Sequence, residues 1–308
     1  MRHLNFRQLE AFHAVAEYGS ISAAARQLHI SQPAVSRLIA ELEEHVGFTL
    51  FQRFANGSVP TQEGLELHTD VARLLAMSER VSEDARSIHE NRRKRLLVGC
   101  PNSIAARCMP KIIEAAMRRE ASFSVAISVE RSLSLIDMVK RGFLDVALAV
   151  VPEGRADVRH ETLISVDAVC LLPVGHALAT ERVLTPKTLG RYPIVTNPRL
   201  GKFRADLDSS FEACGLQLVP SVEAYSSCFP GLVEAGAGIA LGDPLGLLGD
   251  SAHGLVIRPY EPAVTLSLSL VFPDQIALDV FEHFAAASRT VLREELARLI
   301  KKGRRASR

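Results

Sequence analysis

Apolar residues in the first fifth of the chain follow a helical period. Leu9, Phe12, Val15 and Ala16 recur at that spacing and predict a helix over residues 4–18, stopped by Gly19. Ser20 or Ser22 is placed to cap a second helix through Ala23, Ala24, Ala25 and Leu28, whose small residues admit a close neighbour. His29 and Ile30 form a short turn. Ser31 then caps a third helix, with Pro33 in the first turn, where no intrahelical N–H bond is lost. Val35, Leu38, Ile39 and Leu42 make its buried stripe; Gln32, Ser36, Arg37 and Ala40 fall on the other face, and Gly47 ends it. A strand over 50–54, the hairpin signal Asn56-Gly57 and a second strand ending at Val59-Pro60 complete a winged helix-turn-helix.

Thr61 is placed to cap a long helix running to about Asn91. Its apolar positions Leu67, Val71, Leu74, Ser78, Val81, Ala85 and Ile88 step by four and three, a heptad seam that calls for a partner helix. The same helix of a second copy is the simplest partner; packing on the chain's own C-terminal part is the alternative. Arg92-Arg93-Lys94-Arg95 reads as a hinge or a solvated linker. From Leu96 the pattern alternates strands (96–100, 124–129, 145–151, 168–172, 193–196, 221–224, 238–241, 266–272) with helices (104–119, 133–141, 202–214, 228–235, 275–301), which predicts parallel sheets in an α/β fold. Its length suits two lobes. The expected organisation is a winged helix-turn-helix domain over 1–60, a linker and dimerisation helix over 61–91, and an α/β domain over 92–308. In that domain lobe I holds about 96–164 and 267–302, and lobe II about 167–265.

Charge adds a constraint. The chain of 308 residues has a formal net charge of only +1. Residues 1–64 carry five arginines, no lysine and six glutamates, so a DNA footprint must come from local placement of charge and from helix N-termini. Five cysteines without a CxxC pair indicate neither a disulfide framework nor a zinc site, and the ten histidines show no ligand-spaced cluster, so no metal and no cofactor is expected. The start MRHLNFRQLEAF lacks an apolar core of a secretory signal, and no stretch approaches 18 uncharged apolar residues; a reducing, cytoplasmic setting without membrane contact is the expectation. There is no Gly-x-Ser-x-Gly elbow, no His-Glu-x-x-His and no phosphate loop, and Gly236-Ala-Gly238 precedes a strand rather than following one, which argues against an enzyme. A solute-binding protein would lack the helix-turn-helix. An architectural DNA-binding protein without ligand control would be more basic and would not need two lobes.

The stretch SISAAARQLHISQPAVSRLIAELEEHVGFTLFQR, followed by PTQEG, resembles the LysR-type transcriptional regulators. Further along, GFLDVALAV (142–150), LLPVGHALA (171–179, with Ala177 where the family usually has proline) and VEAGAGIALGDP (233–244) resemble other segments of that family. VCLLPVGHALATERVLTP and HGLVIRPY look closest to the branch containing the lysine-biosynthesis activator and the opine-catabolism regulators. The resemblance implies a homodimer or dimer of dimers on promoter DNA, commonly as an activator, with RNA polymerase a further partner. It also implies a small co-inducer held between two lobes like those of periplasmic binding proteins.

The third helix supplies the candidate base contacts: Gln32 to adenine, Ala34 to a thymine methyl, Arg37 to guanine or phosphate, with Pro33 and Ser36 on the same stretch. Ser22 and Ser31 can present helix-terminal N–H groups to phosphates, and the family resemblance adds Arg53 at the wing. Gln32 and Ser36 could equally belong to a solvated helix face. Ligands of open α/β sheets sit beyond strand C-termini. There the sequence places Asn102 and Ser103, Glu130, Arg131 and Ser132, Thr196, Asn197 and Arg199, and Ser226 and Ser227. Arginines for carboxylates and Glu130 for an ammonium suit an amino acid or amino-acid-derived carboxylate; an aromatic or organic acid is the alternative. Ser103, Ser132 and Ser227 could instead only cap helices, and Arg199 could be a surface charge. Cys100 and Cys228 read as buried small hydrophobes rather than redox sensors.

Overall fold

A computed structural model describes residues 4–54, 57–89, 94–119, 123–154, 158–248, 254–274 and 278–305. The chain divides into two compact units, residues 1–91 and 92–308.

In the first unit Asn5 and Gly19 bracket α1 (Phe6–Tyr18): Asn5 Oδ1 accepts from Arg7 N, and Gly19 turns left-handed at φ 70. Ser20, not Ser22, caps α2 (Ile21–Gln27) by accepting from Ala23 N, which leaves Ser22 half-buried in the first turn. Ser31 accepts from Ala34 N at the head of α3 (Gln32–Val46). Phe12, Val15, Ala24, Val35, Ile39, Leu42 and Leu50 close the core between these helices. The wing is an antiparallel hairpin of β1 (Phe51–Phe54) and β2 (Gly57–Pro60); Asn56 of its turn lies outside the described residues. The wing is docked where Ser58 N donates to Gly19 O at 2.8 Å. A Cβ on Gly57 would stand 2.6 Å from that same oxygen, and its φ is +152, so both contact and backbone require glycine there.

Thr61 opens α4 (Gln62–His89), accepting from Gly64 N at 2.9 Å and donating to Thr49 O at 2.8 Å. The heptad seam divides along this helix. Val71 is buried in the helix-turn-helix core and Leu67 packs beside it, because α4 first lies across α1. These two residues therefore do not belong to an outward seam, contrary to the sequence expectation. Leu74, Val81 and Ala85 are exposed beyond them. The side chain of Ile88 lies outside the described residues.

The second unit contains two five-stranded sheets. The first, in order β4-β3-β5-β12-β6, joins β3 (Lys94–Cys100), β4 (Phe123–Val129), β5 (Val146–Val150), β6 (Arg159–Asp167) and β12 (Thr265–Phe272). The second, in order β11-β7-β10-β8-β9, joins β7 (Val169–Pro173), β8 (Ile194–Thr196), β9 (Val222–Glu223), β10 (Ile239–Gly242) and β11 (Leu255–Pro259). The expected parallel pairing holds for β3 with β4 and β5 and for β8 with β9 and β10, and the sheets are otherwise mixed. β12 runs antiparallel to β5 and β6, and β7 runs antiparallel to β10 and β11. The reason is that the chain crosses between lobes twice and returns in the opposite sense. The two crossings lie side by side, with Ala168 N donating to Val264 O at 2.8 Å and Thr265 Oγ1 to Asp167 Oδ1 at 2.6 Å. The charge run is also not wholly a linker, since Lys94 and Arg95 begin β3.

The helix expected over 104–119 is broken into α5 (Asn102–Ala105) and α6 (Cys108–Met117). Pro110 explains the break: it has no N–H to donate, and its ring would clash with the carbonyl four residues back in an unbroken helix. It is accommodated in the first turn of a helix restarted at Cys108. The remaining helices are α7 (Ser132–Lys140), α8 (Pro186–Leu189), α9 (Lys202–Glu212), α10 (Phe229–Glu234) and α11 (Leu278–Arg305). Val98, Ile104, Met109, Ile112, Leu268 and Phe284 form the heart of lobe I. Leu245 and Leu248, which follow a lobe II strand, are buried in that same cluster and lock the lobes together.

Candidate nucleic-acid interface and effector cleft

Gln32, Pro33 and Arg37 are exposed on α3, with Ala34 and Ser36 half-buried beside them. The Ser31 hydroxyl is occupied as the cap, so this serine offers the helix terminus rather than a free side chain. Arg37 is 82% exposed, and its Nε donates to Glu41 Oε1 at 2.8 Å. Glu41 Oε2 also accepts from Gln8 Nε2 at 3.1 Å. Hydrogen bonds from Arg37 and Gln8 hold the Glu41 carboxyl below the usual carboxylate range. The guanidinium is thereby held by one nitrogen. Arg53 sits in the wing opposite Ser58, and its side chain lies outside the described residues.

In the second unit the loops after β3 and β4 run together, with Glu130 N donating to Cys100 O at 3.2 Å. Asn102, Glu130 and Arg131 are exposed there, and Ser103 is half-buried. Across the cleft Asn102 Nδ2 donates to Ser227 Oγ at 3.1 Å, so two of the residues singled out in the sequence meet from opposite lobes. The others have different fates. Ser132 Oγ accepts from Val150 N at 3.0 Å and serves the fold. Arg199 is turned to Asp208 at 3.4 Å and is a surface ion pair. Thr196 and Ser226 are buried, and no ligand can reach them in this conformation. The expected helix N-terminus after β3 is only the four residues of α5, which weakens its dipole.

Beneath the cleft lies a polar node that the sequence did not disclose. Asp243 Oδ1 accepts from Ser226 Oγ at 2.8 Å and from Leu245 N at 3.0 Å, while Oδ2 accepts from Asn197 Nδ2 at 2.6 Å. Asn197 Oδ1 accepts in turn from Asp243 N at 3.1 Å. Burial pushes the Asp243 carboxyl above its ordinary range in spite of these donors. Beside it Arg204, 1% exposed, donates to Glu223 at 2.8 Å and Asp208 at 3.1 Å and to the Asn197 carbonyl. Packing at the node is close: a Cβ on Gly246 would stand 2.3 Å from the Ser226 backbone. Arg204 looks like an ordinary helix arginine in the sequence; only its burial marks it.

Cys100 is buried as expected, with its thiol pushed up to about 12 by burial, but Cys228 is exposed at the end of a short 3-10 turn. Helix packing also joins residues that lie far apart in the sequence. His13 and Glu17 on α1 meet His68 on α4, with ligand atoms within 4.8 Å of one another.

Residues 6–65 match the bacterial regulatory helix-turn-helix proteins of the lysR family, and residues 89–293 match the LysR substrate binding domain. The chain belongs to the LysR family of transcriptional regulators. The transcriptional activator protein LysR of Escherichia coli (strain K12) is 33% identical over 274 residues, spanning 89% of this chain and 88% of that protein. The regulatory protein NocR of Agrobacterium fabrum is 28% identical over 270 residues, 87% of this chain and 89% of its own length. The crystal structure of CbnR, a LysR family transcriptional regulator, shares the fold at a TM-score of 0.73 and 19% identity, covering 93% of this chain and 99% of that one. As a LysR-family member the chain is a DNA-binding transcriptional regulator, not an enzyme. No helix among the described residues is long and apolar enough to cross a membrane.

Proposed function

We propose that this regulator binds promoter DNA as a dimer or dimer of dimers and answers to an amino acid or amino-acid-derived carboxylate held between its lobes. On the DNA side, exposed Gln32 and Arg37 would read base edges from α3, Ala34 a thymine methyl, and the α2 and α3 termini at Ser22 and Ser31 would meet phosphates. Arg53 would reach the backbone from the wing. With six glutamates against five arginines in residues 1–64, one copy binds weakly. Pairing two reading heads through Leu74, Val81 and Ala85 supplies the rest. CbnR, which has this fold, has been solved with its target DNA. A regulator working at a promoter would act in the cytoplasm and beside RNA polymerase.

The observation that carries the effector reading is the Asn102–Ser227 bond across the cleft, next to the exposed pair Glu130 and Arg131. A bond between two neutral groups contributes about 1 kcal/mol. A zwitterion offering its carboxylate to Arg131 and its ammonium to Glu130 makes stronger charge-assisted bonds and can displace it. OccR, named as an octopine catabolism/uptake operon regulatory protein, is 28% identical over 259 residues and is consistent with such a ligand. A thermal-shift screen of amino acids, diamino acids and opine-like conjugates, followed by calorimetry, tests this. The expected result is a stabilising hit that Arg131→Ala abolishes. Stabilisation by aromatic or simple organic acids alone would overturn the ligand class.

A further inference from the structure

Where α1 packs on α4, the two helices bring together side chains to which no part in DNA reading has been assigned. His13 and Glu17 are one helical turn apart and so share a face of α1. His68 comes from the first two turns of α4. His13 Nδ1 lies 2.9 Å from His68 Nε2, with only 13° between the ring planes and 4.9 Å between the ring centroids, so the rings meet edge to edge. The Glu17 carboxylate completes a group whose ligand atoms all lie within 4.8 Å. Both imidazoles are half-buried and Glu17 is exposed. His13 and Glu17 line a cavity of about 810 Å³ whose wall also includes Glu10 and Glu79 and, among the described residues, no lysine or arginine.

We propose that His13, Glu17 and His68 bind one divalent transition-metal ion of the zinc type, clipping the first helix of the reading head to the linker helix. Two imidazoles and one carboxylate are a donor set for zinc, cobalt or nickel rather than magnesium or calcium, and they leave a fourth position for water. Tetrahedral coordination at the usual zinc–nitrogen length puts the two nitrogens about 3.3 Å apart. The pair at 2.9 Å therefore needs a shift of only a few tenths of an ångström. Glu17, being exposed, closes the remaining distance by side-chain rotation.

Without metal one proton bridges the two nitrogens. On binding, that proton moves to the outer nitrogen of the same ring, so each imidazole turns a lone pair to the metal and none is released. Three glutamates around the cavity add attraction for a cation. The rival reading is that the two histidines are simply a hydrogen-bonded pair packed against Phe12, whose ring meets His68 edge-on at 5.9 Å.

Cobalt(II) titration of the full-length protein separates the two. The background carries Cys214→Ser and Cys228→Ser, because these two thiols are exposed. The expected result is one cobalt per chain with the visible absorption of tetrahedral nitrogen and oxygen ligation, displaced by zinc, and a zinc-dependent rise in Tm. His68→Phe, which retains an aromatic ring against Phe12, and Glu17→Gln, at an exposed position, should each weaken binding by about tenfold or more. Pale octahedral spectra, or cobalt binding unchanged in both variants, would overturn the proposal. So would a Tm that zinc does not move while His68→Phe lowers it, which is the signature of a hydrogen-bonded pair alone.

Discussion

Arg37 projects from the exposed face of α3 with its Nε tied to Glu41, and the proposed DNA contact would use the outer guanidinium nitrogens. Arg37→Ala is expected to weaken operator binding by about 1–3 kcal/mol, measured by gel-shift titration at fixed salt; unchanged affinity would remove it from the interface. The sequence named this residue because helix-turn-helix geometry fixes which helix enters the groove. It could not name Asp243, whose importance lies in burial among Ser226, Asn197 and the Leu245 N–H. Asp243→Ala strands these donors and should destabilise the second unit by on the order of 3 kcal/mol, measured by urea unfolding. Burial raises the folded-state pKa of Asp243. Its contribution is therefore most favourable below the unfolded carboxylate value and is lost as pH rises through the raised one. Stability measured against pH should show wild type losing ground to Asp243→Asn across that window.

At the scale of elements, α4 serves two purposes along its length. Its N-terminal half completes the reading head through Leu67, Val71 and Leu75, and its later turns present Leu74 and Val81, 48% and 60% exposed. Val71→Ala should lower the stability of the first unit by about 1–3 kcal/mol without changing the oligomeric state. The pair Leu74→Glu and Val81→Glu should instead yield monomers of nearly unchanged fold, read by light scattering. A heptad repeat in sequence cannot tell these halves apart, because both satisfy the same period. The α5–α6 break was legible in retrospect from Pro110, but periodicity carried the sequence prediction across it. β6 and β11 were not expected; in β6 the adjacent buried Leu163 and Ile164 break the alternation that marks a half-buried strand.

For the effector unit as a whole, the lobes are coupled at two kinds of contact. Asn102 and Ser227 touch across the cleft with neutral groups, whereas Leu245 carries lobe II into the core of lobe I. Leu245→Ala should cost about 2–5 kcal/mol and loosen the lobes, seen as faster hydrogen exchange around Ile104. Asn102→Ala should leave stability nearly intact while shifting effector affinity.

The sequence by itself determined the local matters. Caps, turns and helical periods placed α1 to α4 and the wing, and alternating strands and helices placed most of both lobes, because each of these signals acts within a few residues of the chain. What only the tertiary structure decided depends on residues distant in sequence and close in space. It reversed the direction of β7 and β12, buried Val71 while exposing Leu74, and withdrew Thr196 and Ser226 from the cleft. It also joined His13 and Glu17 to His68 across two helices. Burial and charge proximity scale with distance in space, and spacing along the chain records that distance only inside a single element.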